Sequence, residues 1–90
     1  MKKTIWKFPL KTFTNGICHI EMPEGGKILA VDKQHGVWCI WALVDPTAGL
    51  VTRSFIITGT GWEFYAEGEI HLRTILDGDF VWHLFEVARS

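Results

Sequence analysis

The segment Gly59-Thr60-Gly61-Trp62 carries the residue types best suited to holding a small ligand. Its two glycines let backbone amides approach a ligand closely, and amide-rich turns of this kind form anion sites. The Thr60 hydroxyl adds a donor, and the Trp62 indole offers a face on which a base or a sugar can stack. The same residues also suit a plain tight turn that uses glycine for its dihedral angles. The segment is therefore a candidate binding site, with a structural turn as the alternative.

Two arginines and one histidine are candidates to complete this site. Arg53 and Arg73 can each bind a phosphate group through two parallel N–H donors. His83 belongs to the last predicted strand and is the third candidate. We predict that a phosphate-bearing ligand takes amide donors from the turn and charge from an arginine, while its base stacks on Trp62.

The residue patterns of common enzymes and metal sites are missing from the sequence. There is no HExxH, CxxC, GxSxG or P-loop motif. Asp32, Asp45, Asp77 and Asp79 lie in or beside predicted turns, where Asp commonly bonds to its own backbone. His71 and His83 are predicted to be near neighbours on one hairpin, but a structural zinc needs four ligands. We therefore expect no catalysis, no metal and no cofactor.

Composition limits the class of protein. Ninety residues, 48% of them hydrophobic, are enough for one domain spanning residues 1–90. Nine Lys and Arg balance ten Asp and Glu, and no basic run exceeds Lys2-Lys3, which argues against a nucleic-acid partner. No segment has the roughly 20 apolar residues of a membrane helix. The start of the chain lacks the apolar region of a signal peptide, which predicts a cytoplasmic location. Cys18 and Cys39 should then be unpaired core thiols.

Five tryptophans in 90 residues are more than a core of this size easily covers, because each indole brings about 200 Å² of surface. This surplus predicts a homo-oligomer, most simply a two-fold dimer. We expect at least one of Trp6, Trp38, Trp62 and Trp82 at the subunit contact.

Short apolar runs separated by Gly, Pro, Asn and Asp predict an antiparallel all-β domain of about seven strands, as a sandwich or a partly open barrel. The predicted strands cover residues 4–8, 17–22, 27–33, 37–44, 51–58, 71–76 and 80–87. The strand at 37–44 is apolar on both faces, which predicts a central strand with Trp41 in the core, covered on both sides by the fold or by a second subunit. Residues 62–69 are ambiguous and could form one helical turn.

Several motifs extend over the first two thirds of the chain. TIWKFPL starts at Thr4, WALVDP starts at Trp41, and GTG occupies residues 59–61. With these motifs the chain resembles a family of small, uncharacterised proteins encoded by tailed bacteriophages and prophages. The resemblance implies a phage genome, a short chain and expression in the cytoplasm of the bacterial host. It implies no catalytic residues.

These observations together predict a non-enzymatic binding protein. Stoichiometric binding suits a small phage protein, and an aromatic, amide-lined pocket suits a nucleotide. We expect a protein that acts against host defence by sequestering a nucleotide-type signalling ligand. One alternative is an inhibitor that covers a host protein through an aromatic surface patch. The other is a virion or morphogenesis accessory protein.

Overall fold

Eight β-strands and their connections make up residues 2–65 and 68–88, the part of the chain that the computed structural model describes. The strands are β1 (Thr4–Pro9), β2 (Phe13–Thr14), β3 (Ile17–Pro23), β4 (Lys27–Gln34), β5 (Val37–Val44), β6 (Leu50–Gly59), β7 (Ile70–Asp77) and β8 (Phe80–Val87). The predicted all-β antiparallel fold is confirmed. The prediction of about seven strands omitted β2, which is too short to show an alternating pattern.

Two antiparallel sheets pack face to face as an open sandwich. One has the order β1-β5-β4, and the other has the order β2-β3-β6-β8-β7. Apolar side chains from both sheets form one buried cluster, whose largest members are Phe55, Met22, Ile40 and Leu84. Burial of these side chains is the main favourable contribution to folding, at about 1.5–3 kcal/mol each.

Two-residue loops set the register of three hairpins. Asn15 and Gly16 have φ values of 53° and 81°, and His35 and Gly36 have φ values of 54° and 78°. Positive φ at both loop residues is typical of type I′ turns, whose twist matches that of the flanking strands. In the last hairpin Asp77 pairs with Phe80 across a loop that begins with Gly78, at φ 59°.

Strand β5 has the predicted bounds and the predicted central position, between β1 and β4. The same chain does not fully cover both of its faces, and coverage of the outer face by a second subunit stays a prediction. Ile40, Ala42 and Val44 point between the sheets and are buried, whereas Trp41 and Leu43 lie on the outer face and are half-buried. The apolar pattern marked residues that tolerate burial, but the fold places a second sheet over one face alone.

The segment between β6 and β7 shows neither strand nor helix where it is described, at residues 62–65 and 68–69. The helical turn considered for residues 62–69 is thus not seen in these positions, and residues 66–67 lie outside the described chain. The two cysteines are buried and unpaired, as predicted. Burial raises the pKa of the Cys18 thiol, which favours its unreactive protonated form.

Candidate functional site

The turn after β6 lines a cleft of about 260 Å³ at one end of the sandwich. The opposite wall comes from the β7–β8 loop and the first residues of β8. The lining residues are Gly59, Thr60, Trp62, Asp79, Phe80, Val81 and Trp82. The strand register explains this meeting, because Gly59 at the end of β6 pairs with Trp82 in β8.

Trp62 lies against the backbone of Gly59. A Cβ atom at residue 59 would be 3.1 Å from Cε2 and 3.2 Å from Cδ2 of the Trp62 ring, which is tighter than most real contacts. Glycine at this position therefore lets the indole lie flat on the end of β6. The Trp62 side chain is nevertheless 60% exposed. It consequently presents a large apolar face to the cleft.

Three further aromatic rings are connected to Trp62 through ring–ring contacts. Trp82 packs edge-on against Trp62 with ring centroids 5.2 Å apart, and Phe80 stacks beside Trp82 at 6.0 Å. Trp38 in β5 packs on Trp82 from the other sheet at 5.8 Å. We call Trp38, Trp62, Phe80 and Trp82 the aromatic cluster. Edge-on and offset pairs of this kind stabilise one another beyond their buried area.

A solvent-exposed ion pair lies against Trp38 and Trp82 of the aromatic cluster. The Lys33 ammonium lies 5.1 Å from the ring centroid of Trp38 and 5.7 Å from that of Trp82. It also donates a hydrogen bond of 3.0 Å to Asp77 Oδ2. This bond is the main reason why the pKa of Asp77 lies below its usual value, with a smaller contribution from the Trp82 indole N–H. Asp77 is thus bonded to Lys33, and the carboxylate that lines the cleft is that of Asp79.

Two backbone amides of the candidate turn are already used within the protein. Thr60 N–H donates to the carbonyl of Val81, and Trp62 N–H donates to the carbonyl of Gly59, both at 3.1 Å. Gly61 takes a φ of 87°, which closes the turn. These bonds show that the segment is a tight turn, which the sequence analysis gave as the alternative to an anion-binding turn. The same turn positions Trp62.

Arg53 lies away from this cleft, between the two sheets. Its Nε and Nη2 donate to the two carboxylate oxygens of Glu86, each at 2.7 Å, and Nη1 donates to the carbonyl of Gly26. The arginine is therefore part of a largely buried, bidentate ion pair that links β6, β8 and the β3–β4 loop.

Arg73 likewise does not line the cleft. Its Nη2 donates to the carbonyls of Ile28 and Leu29 at 3.3 and 3.1 Å, and Nη1 donates to the carbonyl of Leu72 at 2.6 Å. These bonds tie strand β7 to the edge of β4. Together with the Lys33–Asp77 pair, they close the sandwich at this corner.

His83 contacts the turn from the other face of the sheet. Its Nε2 lies 2.7 Å from Thr60 Oγ1, and its Nδ1 lies 3.2 Å from Thr74 Oγ1. Thr74 Oγ1 is in turn 2.9 Å from His71 Nε2, and the two imidazole centroids are 6.3 Å apart, which confirms the predicted proximity of His71 and His83. A hydroxyl bonded to an imidazole can begin a nucleophile–base pair. Here the group that orients the imidazole is a hydroxyl, not a carboxylate.

Among the candidates named from the sequence, Gly59, Thr60 and Trp62 thus meet in the cleft, and His83 supports it through Thr60. The sequence analysis missed Asp79, Phe80, Val81 and Trp82 as lining residues. The last hairpin was visible in the sequence, but its pairing with β6 is non-local. Within the described residues, no three His, Cys, Asp or Glu side chains converge as metal ligands would.

Comparison with known proteins identifies the family. A family model described as "Domain of unknown function (DUF7352)" matches residues 1–90. The chain belongs to this family. No curated protein and no solved structure is significantly similar to it. The family carries no assigned function, so the functional argument rests on the cleft and its surroundings. In the described part of the chain, no helix is long and apolar enough to cross a membrane.

Proposed function

We propose that the protein is a non-enzymatic binding protein, and that its site is the cleft at Trp62. The observation that carries this proposal is the exposed Trp62 face, held on Gly59 and backed by Trp82. A large apolar ring left in solvent beside a concave surface is typical of a stacking platform. The ligand is therefore one with a planar ring, and a nucleobase meets that requirement.

The charges around the cleft favour a ligand with little negative charge. Arg53 and Arg73 make other bonds, and the amides of Thr60 and Trp62 are engaged within the protein. Asp79 contributes a negative charge to the cleft wall, while Lys33 is paired with Asp77. Stacking then supplies most of the affinity. A nucleoside or a cyclic nucleotide should bind better than a nucleoside triphosphate.

The biological setting in this proposal is phage counter-defence. The motifs that resemble small phage proteins support a role in the cytoplasm of an infected bacterium. Sequestering a nucleotide-type signal would need only a stoichiometric binding site, which a chain of 90 residues can provide. The phage origin and the cytoplasmic location are parts of this proposal.

A thermal-shift panel tests the ligand class. Bases, nucleosides, cyclic nucleotides, ADP-ribose and nucleoside triphosphates are each added to the wild type and to Trp62→Ala. We expect at least one uncharged or singly charged member to raise the melting temperature of the wild type. Loss of one stacking contact, worth about 1–3 kcal/mol, should weaken that ligand by about tenfold in the variant. No shift with any member would remove the nucleotide-type ligand from the proposal.

A protein partner is the second candidate for this surface. Phe80 is 62% exposed and Leu76 is 79% exposed, and both lie near the β7–β8 loop beside the cleft. Exposed apolar side chains around an aromatic centre are typical of the anchors of protein interfaces. A silent nucleotide panel, combined with one host protein captured by the wild type and not by Trp62→Ala, would favour this candidate.

A further inference from the structure

Strand β1 is an edge of the three-stranded sheet. It pairs with β5 along its whole length, from Thr4 opposite Val44 to Pro9 opposite Cys39. Its other side has no strand partner among residues 2–65 and 68–88. An unpaired edge presents backbone donors and acceptors to any extended chain that can approach it.

The pattern of hydrogen bonds shows which residues of β1 face outward. Leu10 N–H donates to the Trp38 carbonyl at 2.8 Å, so Leu10 and Trp38 form a hydrogen-bonded pair that continues the ladder. Such pairs recur at every second residue in antiparallel strands. The backbone groups of Phe8, Trp6 and Thr4 therefore point to β5. Those of Ile5 and Lys7 point to the open edge.

The usual devices that block an edge are weak here. Pro9 removes one outward N–H, but only at the end of the strand. The Lys7 ammonium, which could guard the edge, instead reaches across the sheet and donates 2.8 Å to Gln34 Oε1. Ile5 is 55% exposed and Trp6 is 38% exposed, on opposite faces of the strand. The edge thus offers apolar contacts on both of its faces.

The charge of this segment is one-sided. Lys2, Lys3, Lys7 and Lys11 precede the first acidic residue of the chain, Glu21. Asp45, which follows strand β5, interacts electrostatically with Lys3. A second copy of the chain pairing through the same strand would bring two such lysine sets together. An acidic strand would find complementary charge along the edge instead.

We propose that the β1 edge binds an extended acidic segment of a partner protein by adding it to the sheet as a strand. The segment has acidic side chains alternating with apolar ones. Backbone bonds to Ile5 and Lys7 hold it in register, as in other complexes formed by strand addition. Its acidic side chains lie beside Lys3 and Lys7, and its apolar side chains cover Trp6. The Lys7 ammonium exchanges its exposed bond to the neutral Gln34 amide for one to a carboxylate of the segment. This surface is separate from the Trp62 cleft and does not depend on the function proposed for that cleft.

Amide hydrogen exchange measured by NMR tests the proposal with a defined probe. The probe is a short synthetic peptide of alternating Glu and Val, and the controls are an alternating Lys and Val peptide and a Glu and Val peptide with methylated backbone nitrogens. We expect the first peptide to slow exchange at the Ile5 and Lys7 amides, and neither control to do so. Unchanged exchange at both amides with every peptide would overturn the proposal.

Two variants separate strand addition from simple charge attraction. Lys7→Glu should weaken the Glu and Val peptide by about fivefold, whereas Lys27→Glu on the opposite edge of the sheet should leave binding unchanged. Ile5→Pro removes one outward amide at a position where an edge strand tolerates proline, and it should abolish binding without unfolding the domain. Equal loss in the two lysine variants, or full binding by a folded Ile5→Pro variant, would refute strand addition. Protection of Ile5 and Lys7 that rises with protein concentration alone would identify a second copy as the occupant and also refute it.

Discussion

At the scale of single residues, the glycine at position 59 can be explained by ligand access to its backbone or by the space that the Trp62 ring needs. The sequence drew attention to the glycines because a ligand could approach their amides. The structure gives Gly59 a different role, because its missing side chain makes room for the Trp62 ring. Gly59, Thr60 and Trp62 line one cleft, and their role in binding stays a prediction.

Gly59→Ala should move Trp62 without unfolding the protein. The φ of residue 59 is not in the left-handed region, so alanine can adopt the backbone conformation, while its Cβ pushes the exposed indole away. We expect loss of ligand binding and little change in melting temperature. Gly49→Ala is the matched control, because a Cβ there meets nothing within 4 Å. Equal ligand affinity in both variants would mean that the Trp62 position is irrelevant.

Asp77 should make stability depend on pH at the acidic end. Its pKa is lowered, chiefly by the hydrogen bond from Lys33, so the folded state favours the carboxylate. The resulting stabilisation is present above the unfolded pKa of about 4 and is lost as pH falls through the lower folded pKa. Melting temperatures of wild type and Asp77→Asn should therefore differ at neutral pH and converge in acid. A constant difference across that range would contradict this assignment.

At the scale of elements, strand β5 shows what an apolar pattern can and cannot predict. Its bounds follow from flanking turns, and its central position follows from its apolar character. The pattern could not tell that Trp41 and Leu43 are only half-buried on the outer face, because coverage depends on how distant parts of the chain pack. Trp41 is consequently half-buried, although its neighbour Ile40 is fully buried.

The two aromatic residues Phe55 and Trp41 should differ in their effect on stability. Phe55 is fully buried at the centre of the core, so Phe55→Ala should lower the free energy of unfolding by about 3–5 kcal/mol. Trp41→Ala removes a side chain that solvent already reaches, and it should cost clearly less. Urea denaturation of both variants gives the comparison. A greater loss for Trp41→Ala would place that residue in a covered interface, such as a subunit contact.

At the scale of the whole molecule, the local parts of the fold were predictable and the non-local parts were not. The hairpin turns around His35-Gly36 and Gly78 were predicted from the sequence, and the structure shows that each loop has two residues. The pairing of β6 with both β3 and β8, and of β1 with β5, joins segments that are far apart in the chain. The cleft depends on the β6–β8 pairing, which is why half of its wall was missed.

Self-association remains a prediction at this scale. Trp6 and Trp62 are exposed, whereas Trp38 and Trp82 are half-buried within the aromatic cluster. A subunit contact compatible with both proposals should therefore cover the exposed ring of Trp6 without pairing along the β1 edge, and it should leave the Trp62 cleft open. Light scattering at micromolar concentration should give about twice the chain mass of 10.3 kDa. The monomer mass would instead require that the exposed rings serve other partners.

The most direct test of the central claim, that the cleft at Trp62 is the binding site, uses the five tryptophans as reporters. Their indole N–H signals are assigned by single substitutions and followed by NMR during titration with the best member of the thermal-shift panel. Binding in the cleft predicts large, saturable shifts at Trp62 and Trp82, a smaller shift at Trp38, and none at Trp6 or Trp41. Shifts confined to Trp6 or Trp41, or no saturable shift at Trp62, would contradict the account.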